Sequence, residues 1–155
     1  MAKITPGAKV PDFSLPATGG GPFRLKDAAG RALVVYFYPK DMTSGCTRES
    51  QDFRDLHGAF RKAGADIVGI SRDSMSSHEK FKAKERLPFA LLSDENERVC
   101  KLFDVIREKS LYGRKFLGIE RSTFLIDAQG VLRREWRKVK VPGHAEEVLE
   151  ATRSL

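Results

Sequence analysis

Four residues in this chain have types and spacing that suit redox chemistry: Pro39, Thr43 and Cys46 in one short loop, and Arg121 much later. Cys46 is placed by its flanks. Leu33 to Tyr38 is an unbroken β-branched and aromatic run, the pattern of a strand buried on both faces. Pro39 ends it, having no N–H for a sheet ladder. Phe53, Leu56, Phe60 and Ala63 then repeat at three, four and three, the inward stripe of one helix. Cys46 stands seven residues before Phe53, on that stripe and at or near the helix's first turn. Unpaired N–H groups and the positive dipole end favour an anion there, and a thiolate is the reactive form of cysteine. The plain alternative is a small buried hydrophobe. Thr43 precedes Cys46 by one turn, so its hydroxyl either donates to the sulfur and orients a substrate oxygen, or caps the helix. Pro39 either walls the sulfur from bulk water or only terminates the strand. Arg121 stands just before the apolar run Ser122 to Ile126. There it is a solvated cap, or it supplies permanent charge and forked donors to a thiolate or a substrate oxygen.

The elements that must position these groups follow from periodicity and punctuation. Lys9 to Leu15 and Pro22 to Leu25 predict an N-terminal hairpin across Thr18-Gly19-Gly20-Gly21. After the Cys46 helix, Gly64 is the stop and Asp66 to Ser71 a second buried strand. Ser76-x-x-Glu79 reads as a capping box opening a basic helix that ends before Pro88. Phe89 to Leu92 is a brief strand, and Glu95 to Phe103 a helix with Val99, Cys100 and Phe103 on one inward arc. Leu111 to Leu117 reads as a loop. Ser122 to Ile126 and Val131 to Trp136 form a hairpin across Ala128-Gln129-Gly130, and Ala145 to Ser154 is a last helix. Strands alternating with helices predict an α/β domain: a central sheet, mixed because of the late hairpin, with helices on both faces.

At 155 residues, 41% hydrophobic and 32% charged, residues 1–155 are expected to form a single globular domain. No apolar run has membrane-spanning length and no secretory signal core opens the chain, so a cytoplasmic protein without membrane association is expected. In that compartment Cys46 and Cys100 are expected as thiols rather than a bridge. The histidines at 57, 78 and 144 show no metal-ligand spacing, so no metal and no cofactor is expected. The net charge of +7 draws attention to Arg133 to Lys140, where five cations meet the single acid Glu135. No nucleic-acid module surrounds them; a solvated strand and turn is expected there, and no nucleic-acid partner.

Pro39-x-x-x-Thr43-x-x-Cys46 after an apolar strand resembles the active-site signature of the peroxiredoxins. Tyr36-Phe-Tyr-Pro-Lys-Asp-Met-Thr43 and Gly118-Ile-Glu-Arg-Ser-Thr-Phe124 are similar to the Q-type subgroup, the bacterioferritin comigratory proteins. The similarity runs from Val10-Pro-Asp-Phe-Ser-Leu15 to Val139-Lys-Val-Pro-Gly-His144. It implies a thioredoxin-like fold with an added N-terminal β-hairpin, and reduction of hydrogen peroxide and organic hydroperoxides without metal or haem. It also implies roles: Cys46 as the peroxidatic cysteine, oxidised to a sulfenic acid; Thr43 as the residue that hydrogen-bonds the peroxide; Pro39 as the shield; and Arg121 as the group that activates sulfur and polarises the O–O bond.

Two departures matter. Ser44 stands where the family often has proline. The resolving cysteines usual in this subgroup fall at Gln51 or near Lys82, and neither is a thiol. The expected cycle therefore uses one cysteine, with the sulfenic acid resolved by thioredoxin, glutaredoxin or glutathione; the resemblance implies a monomer. The alternatives are a two-cysteine cycle with Cys100 resolving, or a redox-regulated binding or chaperone protein. A thioredoxin-type reductase would need Cys-x-x-Cys, but Cys46 is followed by Thr47-Arg48-Glu49.

Overall fold

The computed structural model describes residues 4–155. Its centre is a five-stranded mixed sheet. β3 (Ala32–Phe37) runs parallel to β4 (Ala65–Ser71), which is parallel to β5 (Ala90–Ser93); β8 (Ser122–Ile126) lies antiparallel on the other side of β3, and β9 (Leu132–Trp136) antiparallel beyond it. Every residue of β3 is buried, as its apolar run requires for a middle strand with both faces covered.

The alternation of β3 divides the core in two. Leu33, Val35 and Phe37 join Phe124, Phe103 and the N-terminal residues Val10, Phe13 and Leu15 on one face, together with Val99 and Cys100 of the short helix α4 (Arg98–Leu102). Val34, Tyr36 and Tyr38 point the other way. They meet Phe53 of α1 (Ser44–Asp55), Phe60 of α2 (His57–Lys62), Phe81 of α3 (Met75–Glu85) and Val148 of α5 (His144–Arg153). Cys46 belongs to this second face, so the sheet stands between the two cysteines. The α1 register is fixed by Tyr36, whose ring stacks on Phe53 at 4.8 Å and whose hydroxyl meets Ser50 Oγ at 2.9 Å. Gly69 on β4 makes room for that ring, since a Cβ there would lie 2.8 Å from it.

Several expectations need correction. The Cys46 helix is two helices, interrupted at Leu56, whose ψ of 2° leaves the helical range just before the weak helix former Gly58. The cap of α3 is Ser74, which accepts from Ser77 N, rather than Ser76. α4 is shorter than the span from Glu95 to Phe103, because Asp94 caps it with its carboxylate, accepting from the N–H groups of Val99 and Cys100. Leu111 to Leu117 is not a loop. β6 (Ile106–Leu111) and β7 (Arg114–Ile119) form an antiparallel ribbon closed by Tyr112 and Gly113, with φ of 51° and 77°. Two positive φ values are what a tight hairpin turn needs, but tyrosine takes the place usually signalled by Asn or Asp. The N-terminal hairpin, β1 (Ser14–Pro16) with β2 (Pro22–Arg24), is present and shorter than expected. Arg137, in the basic stretch, donates to the carbonyls of Phe103 and Asp104 and lies 5.2 Å over the Phe124 ring, a structural use for one of those cations.

Candidate functional site

The site forms where the end of β3, the start of α1 and the approach to β8 converge. Cys46 is the third residue of α1 and 1% exposed. Arg121 comes from between β7 and β8, and its Nη2 donates to Cys46 Sγ at 3.3 Å. Its Nη1 donates to Glu49 Oε1 at 2.6 Å. One guanidinium thus bridges two acceptor groups a helical turn apart, a task that needs a planar fork. Gly45 permits the approach: a Cβ there would lie 3.2 Å from Nη2. Burial disfavours the charge on Arg121, but Glu49 and then Cys46 outweigh that and raise its pKa.

Glu49 is 1% exposed, and its Oε2 has no hydrogen-bond partner among the described residues. Burial pushes its carboxyl pKa up to about 7, although Arg121 opposes the shift. Lys109 adds a second cation. Its stem lies along Gly118 and its Nζ donates to Ile119 O; burial, then the Arg121 charge, lower its pKa, while Cys46 opposes that.

Thr43 occupies the N-cap position, yet its side chain makes no capping bond and does not donate to the sulfur. Its hydroxyl donates to Lys40 O at 2.9 Å, which leaves the oxygen lone pairs outward as acceptors. Pro39 is half-buried, with Tyr38 between it and the end of β3. The structure thus joins Cys46 to Arg121 by a direct contact and places Thr43 and Pro39 on the loop that leads into the same helix.

Spacing alone missed three groups around this loop. Glu49 had a signal, an acid three residues after Cys46 on the buried stripe. Asp41 and His78 had none: they meet at 2.7 Å across a separation of 37 residues. With Asp73 they bring three ligand-type atoms within 4.8 Å of one another. Those atoms are already engaged in hydrogen bonds within the protein: Asp73 Oδ2 accepts from Ser71 Oγ and Asp41 N, and Asp41 Oδ2 faces Ser77 Oγ and His78. Such a cluster is a hydrogen-bond network rather than a ligand set waiting for a cation.

Cys100 has a different environment. Burial raises its thiol pKa, and the neighbouring Asp94 carboxylate raises it further, which keeps it a neutral thiol.

Comparison with known proteins shows the family and the fold. The AhpC/TSA family profile matches residues 6–135. Peroxiredoxin Bcp of Xanthomonas campestris is 52% identical over 92% of this chain and 89% of its own length; Peroxiredoxin Bcp of Bacillus subtilis is 48% identical over 96% and 95%. Among solved structures, a cysteine-to-serine mutant of Xylella fastidiosa PrxQ is 41% identical and superposes with a TM-score of 0.93, covering 99% of this chain and 98% of that one. The fold is accordingly thioredoxin-like. The chain belongs to the AhpC/TSA family, as a peroxiredoxin of the Bcp or PrxQ kind, and is a thiol-dependent peroxidase.

Proposed function

We propose that the enzyme reduces hydrogen peroxide and organic hydroperoxides at Cys46 through a sulfenic acid that an external thiol resolves. The observation that carries this reading is the 3.3 Å contact from Arg121 Nη2 to Cys46 Sγ at the start of α1. The Cys46 thiolate attacks the hydroperoxide oxygen that bears hydrogen. An S–O bond forms as the O–O bond breaks, and the departing oxygen takes the electron pair and, with a proton, leaves as water or an alcohol. Sulfur is oxidised to the sulfenic acid and the peroxide is reduced. Charge develops on the departing oxygen, and the fixed donors near it are Arg121 and the N–H groups of α1's first turn, preorganised by the fold. Thr43 accepts the peroxide O–H, since its own hydrogen is committed to Lys40 O. Pro39 shields the sulfur.

An external thiol then condenses with the sulfenic acid, expelling water, and a second thiol releases Cys46 by exchange. Thioredoxin, glutaredoxin and glutathione are the reductant classes that fit. The one-cysteine cycle is supported by the sheet between Cys46 and Cys100 and by the neutral state of the Cys100 thiol. Organic hydroperoxides are included because a 51% identical structural relative, the Xanthomonas campestris bacterioferritin comigratory protein, is described in terms of alkyl peroxide reduction. Action as a monomer rests on the family resemblance, and action in the cytoplasm on the lack of an apolar run of membrane-spanning length; among the described residues no helix is long and apolar enough to cross a membrane.

Peroxide consumption with dithiothreitol, measured for wild type and Cys46→Ser, tests the reading. Consumption is expected in the wild type alone; equal rates in both would overturn it.

A further inference from the structure

The loop from β3 to α1 holds a buried constellation that the thiol chemistry does not use. Asp41 stands between Pro39 and Thr43, yet its side chain turns inward and is 1% exposed. Tyr38 donates its hydroxyl to Oδ1 at 2.6 Å, and Ser77 donates to Oδ2 at 2.8 Å. His78 Nδ1 lies 2.7 Å from the same Oδ2. The Asp41 backbone N–H donates to Asp73 Oδ2 at 2.9 Å, in the loop after β4. His78 is fully buried, and its Nε2 sits 2.9 Å from the carbonyl of Leu92 in β5.

Counting hydrogens decides what this pair is. A carbonyl oxygen only accepts, so Nε2 must carry a hydrogen, and a neutral imidazole has no other. Nδ1 would then present a lone pair to a carboxylate at 2.7 Å, a contact without attraction. One further proton must lie between them, on Nδ1 as an imidazolium or on Oδ2 as a carboxylic acid. Either way the pair is neutral as a unit and its converging atoms are hydrogen-bonded, which is how two titratable groups tolerate full burial.

What the pair holds is a strained piece of the site. Met42, the next residue, has φ of 65°. A non-glycine residue there costs about 1–2 kcal/mol, so local preference works against this path and tertiary contacts must fix it. The path leads directly to Thr43 at φ −83° and ψ 156°, and so into α1's first turn.

We propose that Asp41 and His78 are positioning residues: a clamp sharing one proton that ties the Pro39–Thr43 loop to α3 and β5 and keeps Thr43 in peroxide-binding geometry. The proposal rests on the reading of Cys46 as the peroxide-reacting thiol, and the two fail differently. If that reading fails, the wild type does not react with peroxide; if the clamp fails, the wild type and the clamp variants react alike.

The test is the single-turnover peroxide rate of the reduced protein, run below the melting point of each variant and set beside the rate of Cys46 alkylation by iodoacetamide. Asp41→Leu and His78→Leu are each expected to lose about tenfold or more in the peroxide rate, with the double variant no worse than the poorer single. Asp41→Asn is expected to stay within about threefold, because its amide can donate to Nδ1 and Ser77 while its carbonyl accepts from Tyr38. Alkylation is expected to change little throughout. Wild-type rates in the folded leucine variants would overturn the clamp, as would equal loss in Asp41→Asn and Asp41→Leu, or parallel loss of alkylation. If the leucine variants do not fold, proton NMR of the wild type with 15N-labelled histidine decides. Nε2–H together with a low-field, exchange-protected proton between Nδ1 and Asp41 is expected. Absence of the Nε2 proton, or of any proton between Nδ1 and Asp41, would overturn the assignment.

Discussion

At the scale of residues, the site depends on one guanidinium meeting two groups with two different nitrogens. Arg121 Nη1 holds Glu49 while Nη2 reaches Cys46, so the contact to sulfur is aimed by the contact to the carboxylate. A lysine keeps the formal charge but has a single nitrogen and cannot occupy both positions. Arg121→Lys is therefore expected to lose about tenfold or more in peroxide reduction, roughly the 1.4 kcal/mol that one misplaced charge-assisted hydrogen bond costs. Stopped-flow rates against hydrogen peroxide check this; an unchanged rate would return Arg121 to the role of a strand cap.

At the scale of elements, the central sheet separates the two cysteines. Cys46 opens α1 on one face and Cys100 lies in α4 on the other, its thiol held neutral by burial and Asp94. A bridge needs Cα atoms within about 7 Å and converging Cβ vectors, which the folded elements do not offer across a sheet. One equivalent of peroxide without reductant is expected to add one or more oxygens to Cys46 and to form little intramolecular disulfide, by mass spectrometry of the intact protein. Cys100→Ser is expected to turn over almost normally with an external thiol. A dominant Cys46–Cys100 disulfide, with turnover lost in Cys100→Ser, would mean that these elements open during the cycle.

At the scale of the whole molecule, two buried groups set opposite limbs of the stability profile. Burial lowers the pKa of His144 from 6.5 to about 4, where its Nε2 meets Thr123 Oγ1 at 2.8 Å. The unfolded chain takes up that proton below pH 6.5 and the folded chain does not, so stability falls as the pH drops from 6.5 towards 4. Burial raises Glu49 from 4.5 to about 7. Here the folded chain keeps a proton that the unfolded chain releases, so the Glu49 contribution is complete below pH 4.5 and is lost as the pH rises through 7. Urea melts across this range are expected to show His144→Gln flattening the acid limb. Glu49→Gln is expected to gain on the wild type between pH 4.5 and 7, by something on the order of 3 kcal/mol. A wild-type gap to Glu49→Gln that does not vary with pH would contradict the buried, proton-holding carboxyl.

Much of this architecture was legible in the chain. The run Leu33 to Tyr38, the stop at Pro39 and the stripe through Phe53 and Phe60 determine a middle strand and the helical segment after it, because a strand covered on both faces needs an unbroken apolar run and a helix covered on one face needs a period of 3.6. The same stripe put Cys46 inward in a helix's first turn, and the spacing with Thr43 and Pro39 marked the family. Short or unusual elements were not legible: the strands of the β6–β7 ribbon show no apolar–polar alternation, and its turn is built on Tyr112. Tertiary structure alone decided the rest. Nothing in sequence spacing says that the Arg121 fork reaches Glu49 as well as Cys46, or that His78 closes on Asp41. Nor does it say that the sheet parts the two cysteines. Those facts come from crossovers that join segments remote in sequence. Local periodicity records which face of an element is buried, but not which distant side chain meets it there.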